Sequence, residues 1–232
     1  QKYVVYPETG SSCTWKEFQQ RVQSVACYLS GKVLSREVPI AGLLGNGQTA
    51  LELLLGGMYG GFQVLLANPL SGRDILAYVI EHSETKILFV AHQYQDLAEQ
   101  ALSQLSNKPE ILLNHPDNLP VWNDTVPVKK LLNHVPNPKE KALLIYTSGT
   151  TGRPKGVIHT HESLLYGGWN TEVAHELTPD DNSLCVLPLC HINAQVVSVM
   201  GTLVNGSGLV MPQRFQASKF WFWMVDQKCT WF

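Results

Sequence analysis

The sequence is short of charge. Of 232 residues, 17 are lysine or arginine and 19 are aspartate or glutamate, for a formal net charge of −2. Such a balance creates no long-range field to gather nucleic acid or an anionic membrane, so any nucleotide must be recognised locally. Paired cysteines are missing too. Cys13, Cys27, Cys185, Cys190 and Cys229 are scattered, with no C-x-x-C pair, which reads as the reduced thiols of an intracellular protein. Cys190 adjoins His191, but sequence neighbours seldom face each other and no further ligand stands at zinc spacing, so neither a dyad nor zinc is expected. His159 and His161 alternate as they would along one face of a strand, again without a third ligand.

No basic segment followed by an apolar one opens the chain, which makes the cytoplasm the expected location. The stretch 182–213 carries no acidic residue, lysine or arginine, yet Pro188, Asn193, Gln195 and Asn205 interrupt it. A buried core accounts for it better than a membrane span. A first residue other than methionine and an end at Trp231-Phe232 suggest a piece of a longer chain. A conventional P-loop, G-x-x-x-x-G-K-[ST] running into a helix, is also lacking. In its place Gly149 and Gly152 stand three apart, Lys155 follows three later, and Gly156 occupies the position of the magnesium-binding hydroxyl.

What is present is a hydrophobic share of 44%, enough for one substantial core or two modest ones. Short apolar runs alternate with segments of helical period. The expected strands are 3–6, 38–44, 62–67, 86–90, 111–113, 141–146, 156–160, 183–187 and 208–211. Helices are expected over 14–30, 48–59, 72–82, 93–105, 160–174, 192–204 and 217–228. This alternation predicts an α/β fold of mainly parallel sheets covered by helices. Thr14 and Glu17 fit a capping box, with Trp15, Phe18, Val22, Val25 and Leu29 on one buried face. Ser71 to Asp74 repeats the capping pattern. Phe220, Trp221, Trp223 and Met224 are expected to pack the last helix on the sheet. The proline- and asparagine-rich texture of 114–138 places a boundary between a first subdomain, 1–138, and a second, 139–232.

The chemistry concentrates in Tyr146-Thr147-Ser148-Gly149-Thr150-Thr151-Gly152-Arg153-Pro154-Lys155-Gly156. Glycines let backbone N–H groups approach anionic oxygens, hydroxyls add donors, and the lysine brings charge, so the stretch reads as a phosphate-binding loop between two strands. These residues resemble the signature [Y/F]-T-S-G-[S/T]-T-G-x-P-K-G of the AMP-forming, adenylate-forming enzymes: acyl-CoA synthetases, luciferases and peptide-synthetase adenylation domains. Weaker likenesses lie in Thr14–Phe18 and Gly57–Pro69. Leu187-Pro188-Leu189-Cys190-His191 resembles the family's [L/M]-P-[L/M]-[F/Y]-H segment, with Cys190 in place of an aromatic residue. Without the family, His191 would read as an ordinary core histidine.

The resemblance implies an N-terminal part of an ATP-dependent acyl-CoA synthetase. A carboxylate attacks ATP to give acyl-AMP and pyrophosphate, and a thiol, coenzyme A, then displaces AMP. It implies ATP binding by Thr147, Ser148, Gly149, Thr150, Thr151, Gly152, Arg153, Pro154 and Lys155, with Arg153 on the solvent side. Lys155 and His191 take catalytic roles, His191 and Asn193 border the small carboxylic acid, and Thr147 contributes to magnesium. The family's later Y-G-x-T-E segment, ribose-binding aspartate and C-terminal lysine are absent from these residues, so the 232 residues alone are expected to be inactive. One alternative is an amino-acid adenylation domain, disfavoured because no Asp or Glu lies between Asp181 and Asp226 to meet an amine. The other is a noncatalytic nucleotide-binding module.

Overall fold

The computed structural model describes residues 1–32, 35–114, 122, 125, 127, 129, 134–147 and 152–232. Along the chain the first elements are β1 (Lys2–Tyr6), β2 (Ser11–Thr14), α1 (Trp15–Gly31), β3 (Ile40–Leu43), α2 (Gln48–Tyr59), β4 (Val64–Leu66), α3 (Arg73–His82) and β5 (Ile87–Ala91). A 3₁₀ turn, His92–Tyr94, then leads into α4 (Gln95–Leu102), β6 (Glu110–Asn114), β7 (Lys141–Thr147), β8 (Lys155–Thr160), α5 (His161–His175) and β9 (Asn182–Leu184). The chain continues as a π-helical turn, Ala194–Met200, and closes with α6 (Gly201–Asn205), β10 (Gly208–Val210) and α7 (Ala217–Asp226). No helix among the described residues is long and apolar enough to cross a membrane.

The chain divides into two compact units. One holds Gln1–Gln20, Gly45–Leu51 and Glu162–Phe232; the other holds Arg21–Leu44 and Glu52–His161. The units interleave along the chain, and the second draws β7 and β8 into its sheet. That sheet has six strands in the order β6-β5-β3-β4-β7-β8. Its neighbours are parallel except β7 and β8, which pair antiparallel at the edge. The parallel strands are short apolar runs, and β3, β4 and most of β5 are fully buried, as a sheet covered on both faces requires. Leu43, Leu65, Leu76, Ile80, Leu88, Val90 and Leu102 form one continuous cluster between the sheet and α3 and α4. Each such side chain contributes about 2 kcal/mol, against well under about 1 kcal/mol for an exposed ion pair such as Lys32–Glu110. Apolar burial therefore holds this unit.

Inside it, the Glu52 carboxylate is only 2% accessible. Arg21 Nη1 donates to it at 3.1 Å, and the indole N–H of the fully buried Trp122 donates to its other oxygen at 2.8 Å. The charge is thus paired where an unpaired one would cost several kcal/mol.

The first unit has a four-stranded sheet, β2-β1-β10-β9. The capping box forms as expected: the Glu17 N–H donates to Thr14 Oγ1 at 3.3 Å and the Thr14 N–H to Glu17 Oε2 at 2.7 Å. Several expectations change. Ser11–Thr14, where the sequence suggests no strand, pairs antiparallel with β1. Ser71 does not cap α3; its hydroxyl donates to the Asn68 carbonyl, and Gly72, at φ 77°, stands at the N-cap position with no side chain to cap the helix. The strand at 183 ends at Leu184, because Pro188 follows in an irregular segment. Trp223 is buried with Leu184 and Val210, but Trp221 lies on the outer side of α7 and is 69% exposed.

α5 and the π-helical turn meet at a glycine. A Cβ on Gly168 would stand 2.6 Å from the Met200 carbonyl oxygen, a contact that only a backbone shift can relieve. Helix propensity alone favours alanine by about 1 kcal/mol, whereas overpacking against backbone costs about 1–3 kcal/mol. Gly168→Ala should therefore lower the urea midpoint; an unchanged or raised midpoint contradicts the close packing.

Candidate functional site

The Gly-, Ser- and Thr-rich stretch 146–156 begins as β7 ends. Ala142 to Ile145 are buried in the sheet, Tyr146 is half-buried and Thr147 is exposed. Ser148, Gly149, Thr150 and Thr151 lie outside the described residues. The chain resumes at Gly152, whose φ of 89° lies in the left-handed region that suits glycine. Arg153 and Pro154 then lead into β8. Lys155 is its first residue and the Cα partner of Thr147 across the hairpin. Directly opposed residues of an antiparallel pair carry their side chains on the same face, about 5 Å apart at Cβ. The Thr147 hydroxyl and the Lys155 ammonium group thus flank the mouth of the loop, both exposed.

Both ends of the loop also touch α3. His82 Nδ1 and the Tyr146 hydroxyl lie 2.7 Å apart. Arg153 stands with its guanidinium 5.5 Å from the centre of the Tyr78 ring. Burial, with Tyr78 alongside, pushes the Tyr146 phenol up to about 12, so it stays protonated at neutral pH.

His191 and Asn193 belong to the other unit. Residues 187–193 form a turn in which the His191 N–H donates to the Pro188 carbonyl at 3.0 Å. Three side-chain hydrogen bonds hold the segment. Asn46 Nδ2 donates to the Leu187 carbonyl at 2.8 Å and its Oδ1 accepts from the Leu189 N–H at 2.8 Å. Gln195 Nε2, fully buried, donates to the Leu189 carbonyl. With those partners in place the imidazole of His191 and the side chains of Ile192 and Asn193 are presented to solvent. Asn193 precedes the π-helical turn without capping it.

A family model described as "AMP-binding enzyme" matches residues 1–232. The chain belongs to this AMP-binding enzyme family. It is 35% identical to a sulfoacetate–CoA ligase of Cupriavidus necator over 231 residues, 99% of this chain and 45% of the ligase. It is 31% identical to an oxalate–CoA ligase of Arabidopsis thaliana over 164 residues, 67% of this chain and 31% of that one. Among solved structures, ATP-bound MatB from Rhodopseudomonas palustris superposes with a TM-score of 0.80 at 22% identity, covering 97% of this chain and 44% of MatB. A luciferase-like enzyme of the mealworm Zophobas morio gives 0.84 at 20% identity, covering 99% of this chain and 55% of that one. These structures share the fold. The chain spans about half the length, or less, of the curated relatives it matches.

Within this AMP-binding enzyme chain, the arrangement narrows the chemistry. Among the described residues no three His, Cys, Asp or Glu side chains gather to hold a metal. Thr147 offers one neutral oxygen opposite a lysine, a donor set too small and too positive to hold a divalent cation by itself. The pairing imagined for His159 and His161 does not arise. β8 ends at Thr160 and His161 opens α5, where burial holds its imidazole below the ordinary range.

Asn46, Tyr78 and His82 drew no attention from sequence. Asn46 sits between Gly45 and Gly47, a turn-forming triplet whose side chain was the available signal. Tyr78 and His82 lie one helical turn apart on α3, a spacing shared with countless surface pairs.

Burial pushes the Cys190 thiol up to about 11, which leaves it protonated and a poor nucleophile at neutral pH. Iodoacetamide should leave Cys190 largely unmodified at pH 7.5 and react appreciably only as the pH approaches 11. Rapid modification at pH 7.5 would contradict that environment.

Proposed function

We propose that this chain forms the phosphate-gripping part of an ATP-dependent acid–thiol ligase. The carboxylate oxygen of a small acid attacks the α-phosphorus of ATP, the bond to the β-phosphate oxygen breaks, and acyl-AMP and pyrophosphate form. A thiol, coenzyme A in this reading, then attacks the acyl carbon and AMP leaves. Such chemistry asks the protein for positioning and charge neutralisation more than for a nucleophile. The high Cys190 pKa agrees with that division of labour.

The observation that carries the reading is the hairpin register that sets Lys155 opposite Thr147 at the mouth of a Gly-, Ser- and Thr-rich loop. Lys155 offsets the charge accumulating on the departing pyrophosphate. Thr147, Ser148, Thr150 and Thr151 donate to phosphate oxygens, Gly149 and Gly152 allow close backbone approach, and Pro154 fixes the exit. Magnesium arrives with the phosphates, with Thr147 nearby. His191 and Asn193 border the carboxylate. That the Cupriavidus and Arabidopsis relatives are both CoA ligases supports coenzyme A over a carrier protein. Their named acids, sulfoacetate and oxalate, support a short anionic acid. The free thiols fit a reducing compartment such as the cytoplasm.

In the full-length protein, a panel of short acids should include one that drives ATP–pyrophosphate exchange, and Lys155→Ala should slow that exchange about a hundredfold, the usual cost of removing one charge-stabilising donor. Exchange with no acid, or a Lys155→Ala rate equal to the parent's, would refute the proposal.

A further inference from the structure

Four side chains at the edge of the six-stranded sheet form a cluster that joins α3 to both ends of the phosphate loop. Tyr78 and His82 lie four residues apart on one face of α3, with their rings 5.3 Å apart. Tyr146, the last residue before the loop's threonine, meets both. Its hydroxyl is 2.7 Å from His82 Nδ1, and its ring stands edge-on to His82 at 5.7 Å and to Tyr78 at 6.4 Å. Arg153, where the loop returns, lies over the Tyr78 ring. The opposite face of α3 is buried through Leu76, Ala77, Val79 and Ile80, so the helix is a fixed support and His82, itself exposed, is not what fixes it.

We infer that Tyr78 and His82 are positioning residues that clasp the two ends of the phosphate-binding loop to α3 and so raise the affinity for the triphosphate of ATP. This rests on the reading of the loop as the phosphate site. Between Tyr146 and Arg153 run six residues, 147–152, two of them glycine. Holding one residue's backbone in a single conformation costs about 1 kcal/mol or more. Contacts from a packed helix to Tyr146 and Arg153 place the nearby Thr147 and Lys155 before the ligand arrives and so remove part of that cost from binding. The consequence falls on ATP affinity; because Tyr78 and Tyr146 also pack against the apolar core, stability is read separately.

The test is the dissociation constant of MgATP, measured by calorimetry on the full-length protein, with the thermal midpoint recorded for each variant. Tyr146→Phe keeps the ring and removes the hydroxyl; His82→Ala removes its partner. Each should weaken MgATP binding about three- to tenfold, the range expected for one hydrogen bond. Their combination should weaken it no more than either alone, because both remove the same bond. His82→Asn places an amide atom near the Nδ1 position and should restore affinity to within about twofold. Tyr78→Leu, which removes the ring beneath Arg153, should weaken MgATP as well.

Unchanged affinity in Tyr146→Phe and His82→Ala while Lys155→Ala loses affinity would overturn the clasp and leave the loop's role intact. Fully multiplicative effects, or failure of His82→Asn to recover, would overturn it too. If Lys155→Ala also binds MgATP normally, the phosphate reading itself falls and the clasp falls with it.

Discussion

The structure depends on the antiparallel pairing of β7 with β8 at the edge of an otherwise parallel sheet. β7 is anchored on its other side by β4, through the Val64–Leu143 register, and its middle residues are buried. β8 has no such shelter: its first four residues are exposed. What holds β8 is the ladder that runs from Lys141–Thr160 to Thr147–Lys155. A slip of one residue in that ladder would turn Lys155 to the opposite face from Thr147. The position of one charge relative to the loop therefore rests on backbone register, which the buried core of β7 specifies.

The stretch 146–156 stood out in the sequence because the chemistry it suggests is local and its residue types are few. Glycine, hydroxyl and lysine in fixed order say the same thing whatever the fold around them. Strands such as Ile87–Ala91 and the helix Gln48–Tyr59 were legible for another reason: a buried apolar run and a helical period are properties of neighbouring residues. Long-range pairing was not. Ser11–Thr14 is polar and short, and becomes a strand only because β1 lies beside it. Nor does any change in composition mark the interleaving that gives Gly45–Leu51 to one unit and Glu52 onward to the other. Trp221 was misplaced for a similar reason, since the four consecutive aromatics Phe220, Trp221, Phe222 and Trp223 cannot all face one side of α7.

Around His191 the sequence showed a motif and the structure adds its supports. An irregular segment containing Pro188 leaves backbone groups without ladder partners, and side chains must supply them. Asn46 does so as both donor and acceptor, much as a neighbouring strand would, across more than a hundred residues of sequence. Gln195 adds a buried donor from the first π-helical residues, an irregularity of a kind that recurs at functional sites.

The most direct test of adenylate formation follows oxygen. The full-length protein, supplied with ATP, coenzyme A and an accepted acid labelled with ¹⁸O in its carboxylate, should return one labelled oxygen in AMP and none in pyrophosphate. That pattern arises when the carboxylate oxygen bonds to the α-phosphorus and leaves with it. Label in pyrophosphate or in orthophosphate would mean attack at another phosphorus, and would contradict a loop and a Lys155 that serve the departure of pyrophosphate.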